Sequence, residues 1–231
     1  MDRLLNQHTY ESLKKDIMTF GLKPGEPVSA AKIAERYKVS RTPAREALVM
    51  LQSEGLVDIF PQSRSVISKI NVMRTRQEWF VRRTLELAMV DRLFDNITKE
   101  DIEEMIQYAD KLAVIGSKPS TPDTAYEYLQ YDNRFHAVTY RVAGEELAAS
   151  IIERSMSHYN RARLLIDMDN IRKDRTVADH AKLIRLAETG NREGYRAALS
   201  IHLGYIQSDI EEMNRNQPDI FDMEDKDKDK E

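Results

Sequence analysis

Four side chains of metal-ligating type stand at spacings that let them meet. Asp132 and His136 are one helical turn apart, so a carboxylate and an imidazole share a helix face. His180 and His202 flank the Gly190-Asn191 pair, the first about 10 residues before it and the second about 11 after it. A helix pair folded back at that turn sets the two rings at similar height. Asp132, His136, His180 and His202 would then form an N3O ligand set suited to a divalent metal ion: Zn, Ni, Fe or Mn. Each piece has a plainer alternative. A single helical histidine is more often a packed or surface residue, and an Asp–His pair at this spacing arises readily among 39 acidic residues.

A second constellation is cationic. Ser40 stands where it would cap a helix, and Arg41, Thr42 and Arg45 follow it in the first turns. Arg41 and Arg45 are four residues apart and share a face, while Ala44, Ala47, Leu48 and Leu51 form the opposite, apolar face. A guanidinium at such a helix end can fork onto guanine O6 and N7 or clamp a phosphate. The alternative is an ordinary helical hairpin with two solvated arginines.

The elements that must carry these residues can be read from periodicity. A first helix is expected over Gln7–Phe20, with Tyr10, Leu13 and Ile17 on one face, broken by Gly21 to Gly25. A second comes after Ser29, and a third runs from Arg41 to Glu54 with Pro43 in its first turn and Gly55 after its end. The period then changes: Leu56–Phe60 and Ser65–Ile70 are short, β-branched runs that read as a hairpin. Two short helices around a tight turn, with a hairpin after them, are the plan of a winged helix-turn-helix. Beyond residue 74 the sequence reads as helix: about 75–95, 99–115, 122–142, 145–167, 174–188 and 191–214. Thr98 with Asp101 forms a capping box, and Thr121-Pro122 opens another helix. The expected fold is mainly α, with three helices and a hairpin at residues 1–72, an all-helical bundle at 73–215 and a charged, solvated tail at 216–231.

The run Leu22-Lys-Pro-Gly25, Ile33-Ala34, Val39 to Leu48 and Glu54-Gly-Leu-Val57 resembles the GntR family of bacterial transcription regulators. The resemblance implies a recognition helix that lays Ser40, Arg41, Thr42 and Arg45 against double-stranded operator DNA, with the hairpin as a wing. This chain departs from the family at three places: Lys38 replaces the usual turn glycine, Gln62-Ser63 replace an Arg-Gly pair at the wing tip, and Ala30 replaces an acidic residue. With the wing glycine absent, Arg64 is the candidate for a phosphate contact there.

Residues 75–214 resemble the FCD ligand-binding domain of the FadR-type branch, through Val81 to Glu86, Asp132-x-x-x-His136, Asp179-His180 and Ala197 to Leu203. In many members the corresponding Asp and three His bind a divalent metal, and a small organic-acid effector sits beside it, held partly by arginine. The resemblance assigns that role to Arg82, with Arg161 and Arg163 as further candidates. Trp79 and Phe80 are expected to pack against the linker or a partner subunit, His8 to be exposed, and His158 to be a surface or core residue rather than a pocket one.

The composition is that of an ordinary globular protein: 231 residues, 41% apolar and 32% charged. No run approaches the length of a membrane span and the N-terminus lacks an apolar signal run, so a cytoplasmic protein is expected, with no membrane partner. The absence of cysteine excludes disulfides, thiolate metal sites and thiol nucleophiles. The net charge of −4 is uneven. Residues 1–75 hold 12 basic and 8 acidic side chains, a balance of +4, while residues 219–231 hold 7 acidic side chains against 3 lysines. The positive part coincides with the helix-turn-helix.

The reading is a homodimeric DNA-binding transcription regulator, not an enzyme, whose operator affinity responds to a small carboxylate beside a metal. Two alternatives stand: a metal-dependent hydrolase-like enzyme with an N-terminal regulatory module, and a winged-helix protein-interaction module. Against the enzyme, the sequence has no His-Glu-x-x-His run and no clear additional general base.

Overall fold

A computed structural model describes residues 2–60, 64–168 and 173–222, with side chains from residue 6 onward. The chain divides into two compact units, one of Met1–Arg74 together with Asn216–Glu231 and the other of Thr75–Arg215.

The first unit holds α1 (Asp2–Met18), β1 (Pro27–Val28), α2 (Ala30–Tyr37), α3 (Arg41–Ser53), β2 (Val57–Ile59), β3 (Ser65–Ile67) and β4 (Ile70–Asn71). Leu13 and Ile17 of α1, Ile33 of α2 and Ala44, Ala47, Leu48 and Leu51 of α3 are buried together with Leu56 and Ile67. The apolar face of α3 expected from its spacing is therefore its core face, which leaves the arginine face outside. Ser29 caps α2 by accepting from the Lys32 N–H, and Lys38 ends that helix in the left-handed region, φ 55°. Asp16 of α1 then fixes α2 by accepting from Arg36 and from the Tyr37 hydroxyl, the latter at 2.7 Å. Gly55, φ 75°, lets the chain leave α3 and turn into the sheet.

The hairpin is present, with β2 and β3 antiparallel and Asp58 opposite Val66. Sequence periodicity did not show that β1 adds a third strand on the other side of β3. A two-residue strand carries no alternation to read. The wing-tip residues Gln62 and Ser63 lie outside the described residues.

The second unit contains most of α4 (Val72–Ala88), then α5 (Val90–Asn96), α6 (Lys99–Gly116), α7 (Pro122–Val142), α8 (Glu146–Ser155), α9 (Ser157–Met168), α10 (Lys173–Glu188), α11 (Arg192–Gly204) and α12 (Ile206–Asn216). Three helices expected to be continuous are each divided, at Met89, Met156 and Tyr205. Only the last has a glycine beside it, Gly204, and the apolar period runs through each break. The Thr98–Asp101 capping box is formed, Thr121 caps α7, and Gly190 (φ 65°) with Asn191 closes α10 and caps α11. The main core joins α5, α6, α7, α10 and α11 through Val90, Leu93, Met105, Phe135, Val138, Leu183, Tyr195 and Leu199. This packing brings the middles of α7 and α10 beside the last turn of α11.

The expectation of a solvated tail from residue 216 is corrected over its first part. Pro218–Ile220 forms a short 3-10 turn, and β5 (Phe221–Asp222) pairs in parallel with β4 inside the first unit, with Phe221 buried. A single phenylalanine with a hydrophobic neighbour gave too short a signal against the acidic run after it. Residues 223–231 lie outside the described residues.

Candidate functional site

Asp132 and His136 from α7, His180 from α10 and His202 from α11 each offer a ligand atom, and these atoms all lie within 4.8 Å of one another. Three of the four residues are buried, and His202 borders a pocket. The helix pair folded at Gly190-Asn191 sets His180 and His202 at one level, with ring centroids 4.9 Å apart.

The surrounding carboxylates fix the rings. Glu86 of α4 lies 2.7 Å from His136 Nδ1, and it also accepts from Arg82 Nε at 2.6 Å and from the Tyr140 hydroxyl at 3.0 Å. Asp179 lies 3.2 Å from His202 Nδ1. An ionised carboxylate only accepts, so each Nδ1 carries the hydrogen and each Nε2 presents a lone pair. Those two Nε2 atoms face each other at 3.3 Å. Two lone pairs at that distance repel unless a cation lies between them. Two nitrogens bound at 2.0–2.1 Å to one tetrahedral ion would be about 3.4 Å apart.

His180 makes the same point differently. It is fully buried, its ring stacks on Phe135 at 4.1 Å, and neither ring nitrogen has a hydrogen-bond partner among the described residues. Its Nε2 is 3.5 Å from Asp132 Oδ1. A buried donor–acceptor ring without a partner is costly, and metal coordination removes that cost.

Protonation states suit a cation. Burial would raise the Asp132 carboxyl, but Arg163, then the histidines and Arg82, outweigh it and hold it well below the usual carboxylate range. Glu86 is likewise held low, since His136 and Arg82 overcome the effect of burial. Burial pushes His136 down, and His180 well down, from the ordinary imidazole value. Asp132 is therefore an anionic carboxylate and His136 and His180 are neutral imidazoles, the forms that bind metal. The residues present fit a divalent ion.

A pocket of about 520 Å³, open mouth included, lies directly beside this cluster and is bordered by Asp132 and His202 themselves. Arg82 and Arg163 are among the residues that line it. Arg163 is bonded to Asp132 and, at 2.8 Å, to Asn133, and both guanidinium groups lie over the Tyr159 ring. Arg161 is a correction: it is fully buried on the same helix and is not among the lining residues. One hundred degrees of helical rotation per residue separate 161 from 163, so the two cannot share the pocket face.

Sequence reasoning missed Arg175, which also lines the pocket, bonds Asp209 at 3.1 Å and stacks on the Tyr205 ring at 3.8 Å. It also missed Asp167, a lining residue whose carboxyl burial pushes up to about 7 against the pull of Arg163. It missed Glu86 as well, although its place one turn after Arg82 was a signal that could have found it. His8 is exposed as expected. His158 is buried and does not line the pocket. Trp79 packs within the bundle, donating from Nε1 to the Leu203 carbonyl at 2.7 Å, whereas Phe80 is exposed.

In the first unit, Ser40, Arg41, Thr42 and Arg45 are all exposed at the start of α3. Ser40 stands at the N-cap position, but its hydroxyl makes no capping bond, which leaves it available to an outside acceptor. Arg64 is exposed at the start of β3 with its guanidinium 6.0 Å from the Phe60 ring.

Comparison with known proteins covers both units. Residues 5–67 match the family model of bacterial regulatory proteins of the gntR family, and residues 79–205 match the FCD domain model. An uncharacterized HTH-type transcriptional regulator in an unstable DNA locus of Streptomyces ambofaciens is 29% identical, over 92% of this chain and 87% of that protein. The HTH-type transcriptional repressor RspR of Escherichia coli strain K12 is 25% identical, over 94% and 93%. Among solved structures, E. coli McbR/YncC superposes with a TM-score of 0.75 at 19% identity, covering 90% of this chain and 98% of that one. A GntR regulator from Rhodococcus sp. RHA1 gives 0.69 at 19%, covering 92% and 99%. At these identities the structural likeness concerns the fold.

Proposed function

As the chain belongs to the GntR family of DNA-binding transcription regulators and carries the FCD domain, we propose that its operator affinity is set by a small carboxylate bound beside a divalent metal. The observation that carries this reading is the facing Nε2 atoms of His136 and His202 next to the buried His180, which lacks a hydrogen-bond partner among the described residues, with His202 and Asp132 bordering a pocket that Arg82, Arg163 and Arg175 line.

Asp132, His136, His180 and His202 would hold the ion. When bound, it supplies positive charge and an open coordination position for an oxygen of an organic acid. Arg82 keeps its guanidinium on Glu86 and toward Asp132 at 3.8 Å, so it is fixed in place before any ligand arrives. Arg163 is the adjustable partner: it stands on Asp132 and can shift its fork to an incoming carboxylate. Arg175, bonded to Asp209, also lines the pocket and offers a further guanidinium to the acid. Binding changes DNA affinity only if the ligand prefers one arrangement of the chain, which typically amounts to about 1–3 kcal/mol of coupling.

On the DNA side, Arg41, Thr42 and Arg45, with Ser40, would enter the major groove, and Arg64 would contact a phosphate from the wing. Two copies are needed to read two half-sites about one helical turn apart, so the working species is a homodimer. No helix among the described residues is long and apolar enough to cross a membrane. A cytoplasmic regulator meeting DNA and a soluble acid is the consistent setting.

The test is a thermal-shift screen of small organic acids on metal-stripped and metal-loaded protein, with metal content measured alongside. Purified chain should carry about one divalent ion per subunit and lose it in the His180→Ala, His202→Ala double variant. Acids should stabilise only the loaded protein. A wild-type protein that neither contains metal nor can be reloaded would remove the site from the account.

A further inference from the structure

The FCD match ends at residue 205, and a further segment follows it. It begins with α12, whose Ile206 and Asp209 line the pocket, and ends in β5. β5 pairs with β4, Ile70 opposite Phe221 and Asn71 opposite Asp222. β4 in turn leads without a break into α4, which carries Arg82 and Glu86. β4 is therefore continuous with a helix that reaches the pocket, and β5 follows another after Gln217 and the 3-10 turn Pro218–Ile220. The chain passes between the two units at two places, within α4 and at the end of α12, and both strands of the pair adjoin these passages.

Asn71 ties the pair to α4 more closely still. Its side-chain Oδ1 accepts from the Arg74 N–H at 2.7 Å, as a helix cap does, while its backbone is in register with Asp222. Loss of the strand register therefore also disturbs the first turn of α4. Phe221 and Ile70 are both buried, which holds the pair shut. A pair of two-residue strands is nonetheless slight, and elements of this size open at low free-energy cost.

We propose that the β4–β5 pair is a clasp that carries occupancy of the pocket to the DNA-binding unit. It rests on the metal and effector reading. Ions or acids that fix Asp132, Arg82 and the Arg175–Asp209 pair restrict α4 and α12 together, and this favours the closed clasp at their joined ends. The coupling is reciprocal, so opening the clasp loosens both helices at the pocket.

Amide hydrogen exchange on the full chain, metal-stripped and then reloaded with one equivalent of Zn²⁺, tests this directly. In the wild type, reloading should slow exchange in the peptides spanning 176–184, 206–222 and 68–76, by about 5–150-fold at the last. In Phe221→Ala, peptide 176–184 should still respond while 68–76 no longer does. Asn71→Ala should behave in the same way, and Asn71→Asp, which keeps a capping oxygen, should restore the response. If wild-type protection stops short of 68–76, or if Phe221→Ala leaves it intact there, the clasp is not the coupler. If Zn²⁺ does not bind at all, the metal reading fails and the clasp proposal falls with it.

Discussion

Glu86 shows how much of the site depends on a residue that would never touch the ion. It sets the His136 tautomer, accepts from Arg82 and Tyr140, and is fully buried, so it orients a ligand and an effector-binding arginine at once. Glu86→Gln keeps the shape but replaces an acceptor-only carboxylate with an amide whose NH2 cannot accept from Nδ1. Metal affinity should fall by about 10–100-fold, the usual cost of losing such a partner, as read by competition with a chromophoric chelator. Unchanged affinity would mean that the ring is oriented by packing alone. At this scale the sequence was informative where residues act in a fixed local spacing, Asp132 with His136 one turn apart, while Glu86, one turn after Arg82, went unread. It was silent for Arg175, Asp167 and Asp209, which reach the pocket singly from α9, α10 and α12 and leave no local pattern. Arg161 and Arg163 illustrate the opposite error, because two nearby arginines were equally plausible until helical rotation separated them.

Among the elements, the turn between α2 and α3 carries a visible strain. Lys38 occupies φ 55° and ψ 46°, a region that costs an L-residue about 1–2 kcal/mol and costs glycine nothing sterically. Lys38→Gly should therefore stabilise the first unit by about 0.5–1 kcal/mol after the added entropy of the unfolded chain is counted. A raised midpoint in urea, with the same denaturant slope, is the expected result. A lowered midpoint would show that the lysine side chain contributes more than its backbone costs. Helix existence and caps were legible in sequence because Thr98, Thr121, Ser29 and Gly190 mark them with specific chemistry. The divisions at Met89, Met156 and Tyr205 were not, because flexible and aromatic residues continue the apolar period through a bend. Strands β1, β4 and β5 were also hidden, since each is two residues long and finds its partner far along the chain.

For the whole molecule, charge is divided in the way function requires. The net −4 conceals a basic segment that holds α3 and an acidic C-terminal stretch. Operator binding should therefore weaken steeply with salt, as phosphate contacts release counterions. On a duplex selected by the wild type from a random pool, Arg45→Ala should cost about 1–3 kcal/mol and relax base preference at one position per half-site. A variant that instead weakens all sequences equally and lowers the salt slope by about one would mark Arg45 as a phosphate contact.

The buried His180, whose ring nitrogens have no hydrogen-bond partner among the described residues, has a consequence for the life of the protein in a cell. On the metal reading, the folded chain alone binds the ion, so an ion at a hundredfold its dissociation constant adds about 2.7 kcal/mol to stability. That is a large share of what keeps a domain of this size folded. When the ion is scarce, the share is withdrawn, more chains sample open states, and proteolysis removes them faster. The number of regulator molecules would then track trace-element supply, before any acid reaches the pocket.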